Sequence, residues 1–293
     1  MAEGRIIKAL SGFYYVQSNN RIFQCRGRGV FRKNKVTPLV GDMVDFDESN
    51  PGEGYIQNVH PRKNELIRPP IANIDQAVIV TSASQPDFST LLLDRFLVLI
   101  ESKHIQPIIF VSKMDLVSDE EKSKILQCKE EYEKIGYTFK LMTTKEPELM
   151  REIVPYFKDK ITVIAGQSGV GKSSMLNTIN PLFNLETKEI SESLGRGKHT
   201  TRHVELLEVS GGLVADTPGF SSLEFNELEL EDLPSCFPEM QERSDACKFR
   251  GCIHNKEPKC AVKQAVEAGD IPTYRYEHYL SFIDEIQSRK PRY

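Results

Sequence analysis

Gly166-Gln167-Ser168-Gly169-Val170-Gly171-Lys172-Ser173 decides how the chain folds around it. Its spacing is G-x-x-x-x-G-K-[ST], and the residues on either side suit that motif. Ile161-Thr162-Val163-Ile164-Ala165 ahead of it is a short, β-branched, apolar run that reads as a buried strand. Ser174-Met175-Leu176-Asn177 behind it opens a helical pattern. A strand, a glycine turn and a helix in that order aim several backbone N–H groups and a helix N-terminus at one anion. Lys172 then reaches the β- and γ-phosphates, and the Ser173 hydroxyl holds Mg²⁺. With Ser174 included, these nine residues read as the phosphate end of a nucleoside triphosphate site.

Upstream, strand and helix signals alternate. Gln76-Ala77-Val78-Ile79-Val80-Thr81 is a strand, and a helix follows over 91–103. Pro107-Ile108-Ile109-Phe110-Val111 is the next strand, and residues 118–135 form a charged amphipathic helix whose Ser118-x-x-Glu121 is a capping box. Strands over 137–142 and 161–165 complete a mainly parallel sheet with helices on both faces. Such sheets bind ligands outside the carboxyl ends of their strands. Residues 204–216 read as a hairpin about Gly211-Gly212.

Four further stretches belong to that sheet edge. Asp216-Thr217-Pro218-Gly219 fits D-x-x-G after a short strand; Asp216 suits the Mg²⁺ shell, and the Gly219 N–H suits a γ-phosphate oxygen. Gly195-Arg196-Gly197-Lys198-His199-Thr200-Thr201-Arg202 is a polar loop in which a threonine hydroxyl could join the Mg²⁺ shell when the γ-phosphate is present. Ser112-Lys113-Met114-Asp115, at the end of a strand, resembles N-K-x-D with Ser112 in place of asparagine. A carboxylate there accepts from guanine N1–H and its 2-amino group; adenine has neither donor and would leave it unpaired. Thr143-Thr144 ends the next strand, where a last base-contacting loop would lie. The base reader thus precedes the phosphate loop, the reverse of the usual GTPase order.

Residues 1–68 read as all-β: strands over 13–16, 21–25, 42–46 and 54–59 suit a small OB-like barrel. Residues 4–41 hold eight basic and no acidic side chains, among them Arg26, Arg28, Arg32 and Lys33, interleaved with Phe31; that fits a nucleic-acid face. Arg68-Pro69-Pro70 reads as an extended linker. The expected domains are 1–68, 69–220 and 221–293. The last is mainly helical and carries Cys247-x4-Cys252-x-His254-x5-Cys260, three thiolates and an imidazole that suit a closed, structural Zn²⁺ site. Cys25, Cys128 and Cys236 read as plain thiols.

Composition excludes little else. With 293 residues, 39% hydrophobic and 27% charged, the chain has room for several cores, and its apolar runs are too short to span a bilayer. No signal-peptide core opens it, so a cytoplasmic protein is expected. The net charge of −4 hides the basic start and an acidic run over 224–232.

Together the quoted motifs resemble, over essentially the whole chain, the circularly permuted GTPases of small ribosomal subunit assembly (ribosome small subunit-dependent GTPase A). The resemblance implies a protein that binds GTP, GDP and Mg²⁺, an OB-type barrel on ribosomal RNA, and hydrolysis stimulated by the small subunit; nothing in the sequence demands more than a monomer. Phe220 stands where Ras-like enzymes place a water-orienting glutamine, so intrinsic turnover should be slow, and His199 is the candidate to orient water. Because 216–219 leads into the zinc domain, GTP and GDP are expected to favour different orientations of that domain. The competing expectations are an ATP-using P-loop enzyme, which Lys113-x-Asp115 opposes, and an RNA-binding scaffold without significant turnover.

Overall fold

The computed structural model describes residues 1–27, 31, 36–67, 69–143, 152–179, 204–216 and 223–289. Five strands make the barrel: β1 (Ala2–Leu10), β2 (Phe13–Ser18), β3 (Arg21–Gly27), β4 (Met43–Asn50) and β5 (Glu53–Val59). They run in the order β1-β2-β3-β5-β4, and β4 pairs back to β1 from Ala2↔Phe46 to Arg5↔Met43, which closes the sheet. Ile6, Val16, Phe23, Val44, Phe46 and Ile56 fill it. Strand β1 lacks a readable alternation because one of its two inward residues is Gly4, whose missing Cβ would lie 2.6 Å from Val16. Phe31 also belongs to the buried core rather than to an outer face. Arg28, Arg32, Lys33 and Lys35 lie outside the described residues. Arg26 is exposed over the Phe13 ring, whereas Arg5 is spent inside, donating to Gly41 O at 3.0 Å.

The expected extended linker is instead a hairpin, β6 (Glu65–Leu66) against β7 (Ile71–Ala72), with Pro69 and Pro70 in its turn. Ala72 N donates to Val40 O at 2.8 Å, and at Gly41 (φ +93°) a Cβ would fall 2.0 Å from Ala72 O. Backbone contact this close stitches the barrel to the hairpin.

The central unit contains β8 (Gln76–Ser82), α1 (Thr90–Glu101), β9 (Gln106–Ser112), α2 (Asp119–Ile135), β10 (Thr138–Leu141), β11 (Ile161–Ala165), α3 (Lys172–Ile179), β12 (Glu205–Val209) and β13 (Gly212–Asp216). Their order is β10-β9-β8-β11-β13-β12, with every pairing parallel except β12–β13. The capping box of α2 forms as read: Ser118 and Glu121 bond each other's backbone. The β12–β13 turn is Ser210-Gly211, both at positive φ, so Gly212 belongs to the strand. Lys8↔Glu205 joins β1 to β12, with a 2.8 Å ion pair.

The C-terminal unit packs α4 (Pro238–Ser244), α5 (Ala261–Ala268) and α6 (Thr273–Gln287) around Leu233, Phe237, Met240, Tyr279 and Phe282. Val98 of α1 joins this core, so the unit is seated on α1. Helix α6 reads as polar in sequence, yet it buries Arg275, Tyr279, Phe282, Ile283 and Ile286. Arg275, 1% exposed, donates to Glu239 at 2.8 and 3.0 Å and to Asp94 of α1. Tyr132 and His278 complete the Asp94 shell, each at 2.6 Å. Nearby, Arg95 forks onto Glu285 at 2.8 and 2.5 Å and lies over Phe225 and Phe282.

Candidate nucleotide site and metal centre

Register places the candidate loops on one edge. Ser82 pairs Ser112, so β8 and β9 end level, while β11 stops at Ala165 beside Ile79, three residues short of that edge, and leaves the loop after it to cross the end of β8. Gly166 leaves β11 at φ +135°, where a Cβ would stand 2.1 Å from Val80 O; only glycine lets the loop cross β8 this closely. Gly169 and Gly171 also have positive φ, and α3 starts at Lys172. The Lys172 ammonium donates to Gly166 O at 2.9 Å and Gln167 O at 2.5 Å, and burial lowers its pKa. A cation half out of water at a helix start is matched to a polyanion.

Strand β8 separates β9 from β11, so the strands that carry the candidate base-reading segment and the phosphate loop run two spacings, about 10 Å, apart. Ser112 bridges them. The residue is 4% exposed, and its hydroxyl lies 2.6 Å from Val170 O and 3.1 Å from Thr81 O and donates into that pair of carbonyls. The bracing that a longer amide could give is thus made by a serine. Lys113 sits in the left-handed region (φ 59°, ψ 31°), with its ammonium on Gln85 O. Asp115 lies in the short turn Met114–Leu116, where its carboxylate accepts from Thr143 at 2.9 Å. Asp216 ends β13 beside β11, and only its backbone is described. Thr144, His199, Thr200, Thr201, Gly219 and Phe220 lie outside the described residues.

The second site gathers three sulfurs and one imidazole. The ligand atoms of Cys247, Cys252, His254 and Cys260 all lie within 4.8 Å of one another. Cys247 Sγ is 3.9 Å from Cys260 Sγ, and His254 Nδ1 is 3.6 and 3.4 Å from those two sulfurs. Tetrahedral Zn²⁺ with ordinary bond lengths requires about 3.8 Å between sulfurs and about 3.5 Å from sulfur to nitrogen. Ser244 Oγ, 3.2 Å from His254 Nε2, gives its proton to Met240 O and takes that of Nε2, which leaves Nδ1 to ligate. Burial keeps the imidazole neutral and pushes the Cys252 thiol up to about 12, so thiolates form here when a cation offsets them. The donor set fits Zn²⁺.

Sequence reading missed Gln85, Ser244 and the whole Asp94–Arg275–Glu239 cluster. Gln85 and Ser244 carry no motif. Arg275 and Asp94 are 181 positions apart, and no local pattern joins them.

The RsgA GTPase family model matches residues 59–226, and the RsgA N-terminal domain model matches residues 3–56. The small ribosomal subunit biogenesis GTPase RsgA 2 of Oceanobacillus iheyensis is 64% identical over all of both chains. The small ribosomal subunit biogenesis GTPase RsgA of Bacillus subtilis is 61% identical, again over all of both. Among solved structures, YloQ, described as a circularly permuted GTPase, aligns with TM-score 0.86 and 56% identity over 100% of this chain and 97% of its own. YjeQ from Thermotoga maritima aligns with TM-score 0.87 and 36% identity over 99% of each. Barrel ahead, permuted P-loop core in the middle and Cys/His unit behind are therefore one shared architecture, and this chain, a circularly permuted GTPase, belongs to the RsgA GTPase family.

Proposed function

We propose that the chain binds the small ribosomal subunit late in its maturation and hydrolyses GTP to GDP when that subunit stimulates it. The names of its relatives support the partner. The 2.6 Å bond from Ser112 to Val170 O supports the site, because it fixes base reader and phosphate loop as one surface. In this reading Ser112, Lys113, Met114 and Asp115, with Thr143 and Thr144, hold guanine. Residues 166–174 hold the phosphates, with Lys172 on their charge. Ser173 and Asp216 would hold Mg²⁺, which neutralises developing phosphate charge when bound, and one hydroxyl of Thr200 or Thr201 would complete its shell when the γ-phosphate is present. Gly219 bonds the γ-phosphate and His199 orients water.

Zn²⁺ on Cys247, Cys252, His254 and Cys260 would staple the C-terminal unit. The domains run 1–68, 69–220 and 221–293; the barrel faces ribosomal RNA, and the protein works as a cytoplasmic monomer. No helix among the described residues is long and apolar enough to cross a membrane. GTP turnover should be slow alone, unchanged by large subunits and raised by small ones. Equal rates in all three would overturn the proposal in favour of a nucleotide-binding scaffold. His199→Ala should lose most of the stimulated kcat at unchanged nucleotide affinity; full stimulated turnover would remove that assignment.

A further inference from the structure

One feature that nucleotide and zinc chemistry leave unused is a cleft of about 580 Å³ where the β6–β7 hairpin, the end of α1 and residues 224–236 meet. Its apolar lining is Leu66, Ile67, Leu99, Phe225 and Leu228. Ile67 is 61% exposed at this cleft, a large apolar side chain left in water. Glu224, Glu227 and Asp232 add carboxylates to the lining, and the segment 224–232 has five acidic residues and no basic one.

The cleft is built rather than incidental. Arg95 donates to Leu223 O at 3.1 Å, and Arg289 donates to Phe225 O and Leu228 O at 2.5 and 2.6 Å. Lys103 pairs Glu227 at 2.7 Å across the lining. The two arginines hold the backbone of 223–228 from within, so the segment that carries the carboxylates is fixed against the C-terminal unit. Glu229, Glu231 and Asp232 form no ion pair among the described residues, and all three are exposed.

We infer that this cleft docks a basic protein segment, one apolar side chain entering beside Ile67 while Lys or Arg heads meet the carboxylates. RNA is disfavoured, since its phosphates would face like charge. A ribosomal subunit offers both RNA and basic protein tails, so this inference deepens the proposed role and gives it a protein contact apart from the barrel. The subunit half of the test rests on that role; the peptide half does not.

The test uses the full-length chain and a fluorescein-labelled peptide of lysines with regularly spaced leucines, read by anisotropy. Glu224→Lys/Asp232→Lys should weaken binding about tenfold or more, and so should Ile67→Glu. The second variant is decisive, because it adds negative charge: unselective electrostatics would make the peptide bind tighter, and that result overturns the inference. Peptide binding seen only after residues 290–293 are deleted would also overturn it, by making the chain's own tail the occupant. With intact small subunits, the charge-reversed variant should bind about tenfold more weakly yet bind protein-free ribosomal RNA as the parent does. Unchanged subunit affinity counts against the cleft. Should the parent chain itself fail to bind subunits, the ribosomal role falls, while the peptide result still judges the cleft. Basal GTP turnover, which none of these side chains touches, reports that each variant is folded.

Discussion

At the scale of single residues, Ser112 carries the most information. Its position was legible from the strand end and from Lys113 and Asp115, but its partners were not, because a serine reads in sequence as a shortened asparagine. Burial decides the matter: at 4% exposure its hydroxyl needs an acceptor, and Val170 O is 2.6 Å away. Ser112→Ala leaves that carbonyl without its donor and should cost about 1–3 kcal/mol. The loss should appear as weaker GDP and GTP binding by calorimetry, with guanine preference kept. Ser112→Thr keeps the hydroxyl and should retain most of the affinity. Were Ser112→Ala to bind nucleotide as the parent does, the brace would be incidental.

At the scale of elements, two attachments to the C-terminal unit behave differently. The Cys/His cluster spans fourteen residues, and its convergence was readable from spacing alone, since sulfur and imidazole donors so close in sequence need little folding to converge. Cys260→Ser should abolish stoichiometric zinc, measured by atomic emission, and raise hydrogen exchange first over residues 247–260. The ionic cluster on α1 was unreadable, because its members come from three helices. Arg275→Met strands two buried carboxylates, Asp94 and Glu239, and should cost about 3–5 kcal/mol of stability. Replacing all three by apolar residues (D94L/E239L/R275M) should recover most of that in a denaturant titration, since the desolvation penalty disappears with the charges. Strand β1 escaped notice for a simpler reason. Its inward pattern runs through Gly4, a residue without a side chain to signal burial.

For the whole molecule, these attachments change what nucleotide exchange can move. Continuity of 216–219 into the zinc unit led to the expectation that GTP and GDP reorient that unit. The Arg275 cluster and the Arg95–Glu285 fork instead fasten it to α1, whose N-terminal neighbour Gln85 receives Lys113. Reorientation would break a desolvated charge cluster, so the C-terminal unit should travel with α1. Fluorescent labels on exposed positions of α2 and α5 should report the same distance with GDP and with a GTP analogue; a nucleotide-dependent change would restore the expectation of reorientation.

The alternation of the central unit, by contrast, was legible, because strand–helix alternation and the glycine turn survive permutation: the sheet sets which loops share an edge, whatever their sequence order. That claim, one guanine nucleotide spanning Asp115 and Lys172, is tested most directly by competition at equilibrium. Labelled GDP bound to the chain should be displaced by GTP but not by ATP at the same concentration, and Asp115→Ala should erase the difference. Displacement by ATP as readily as by GTP, or a guanine preference that survives Asp115→Ala, would contradict it.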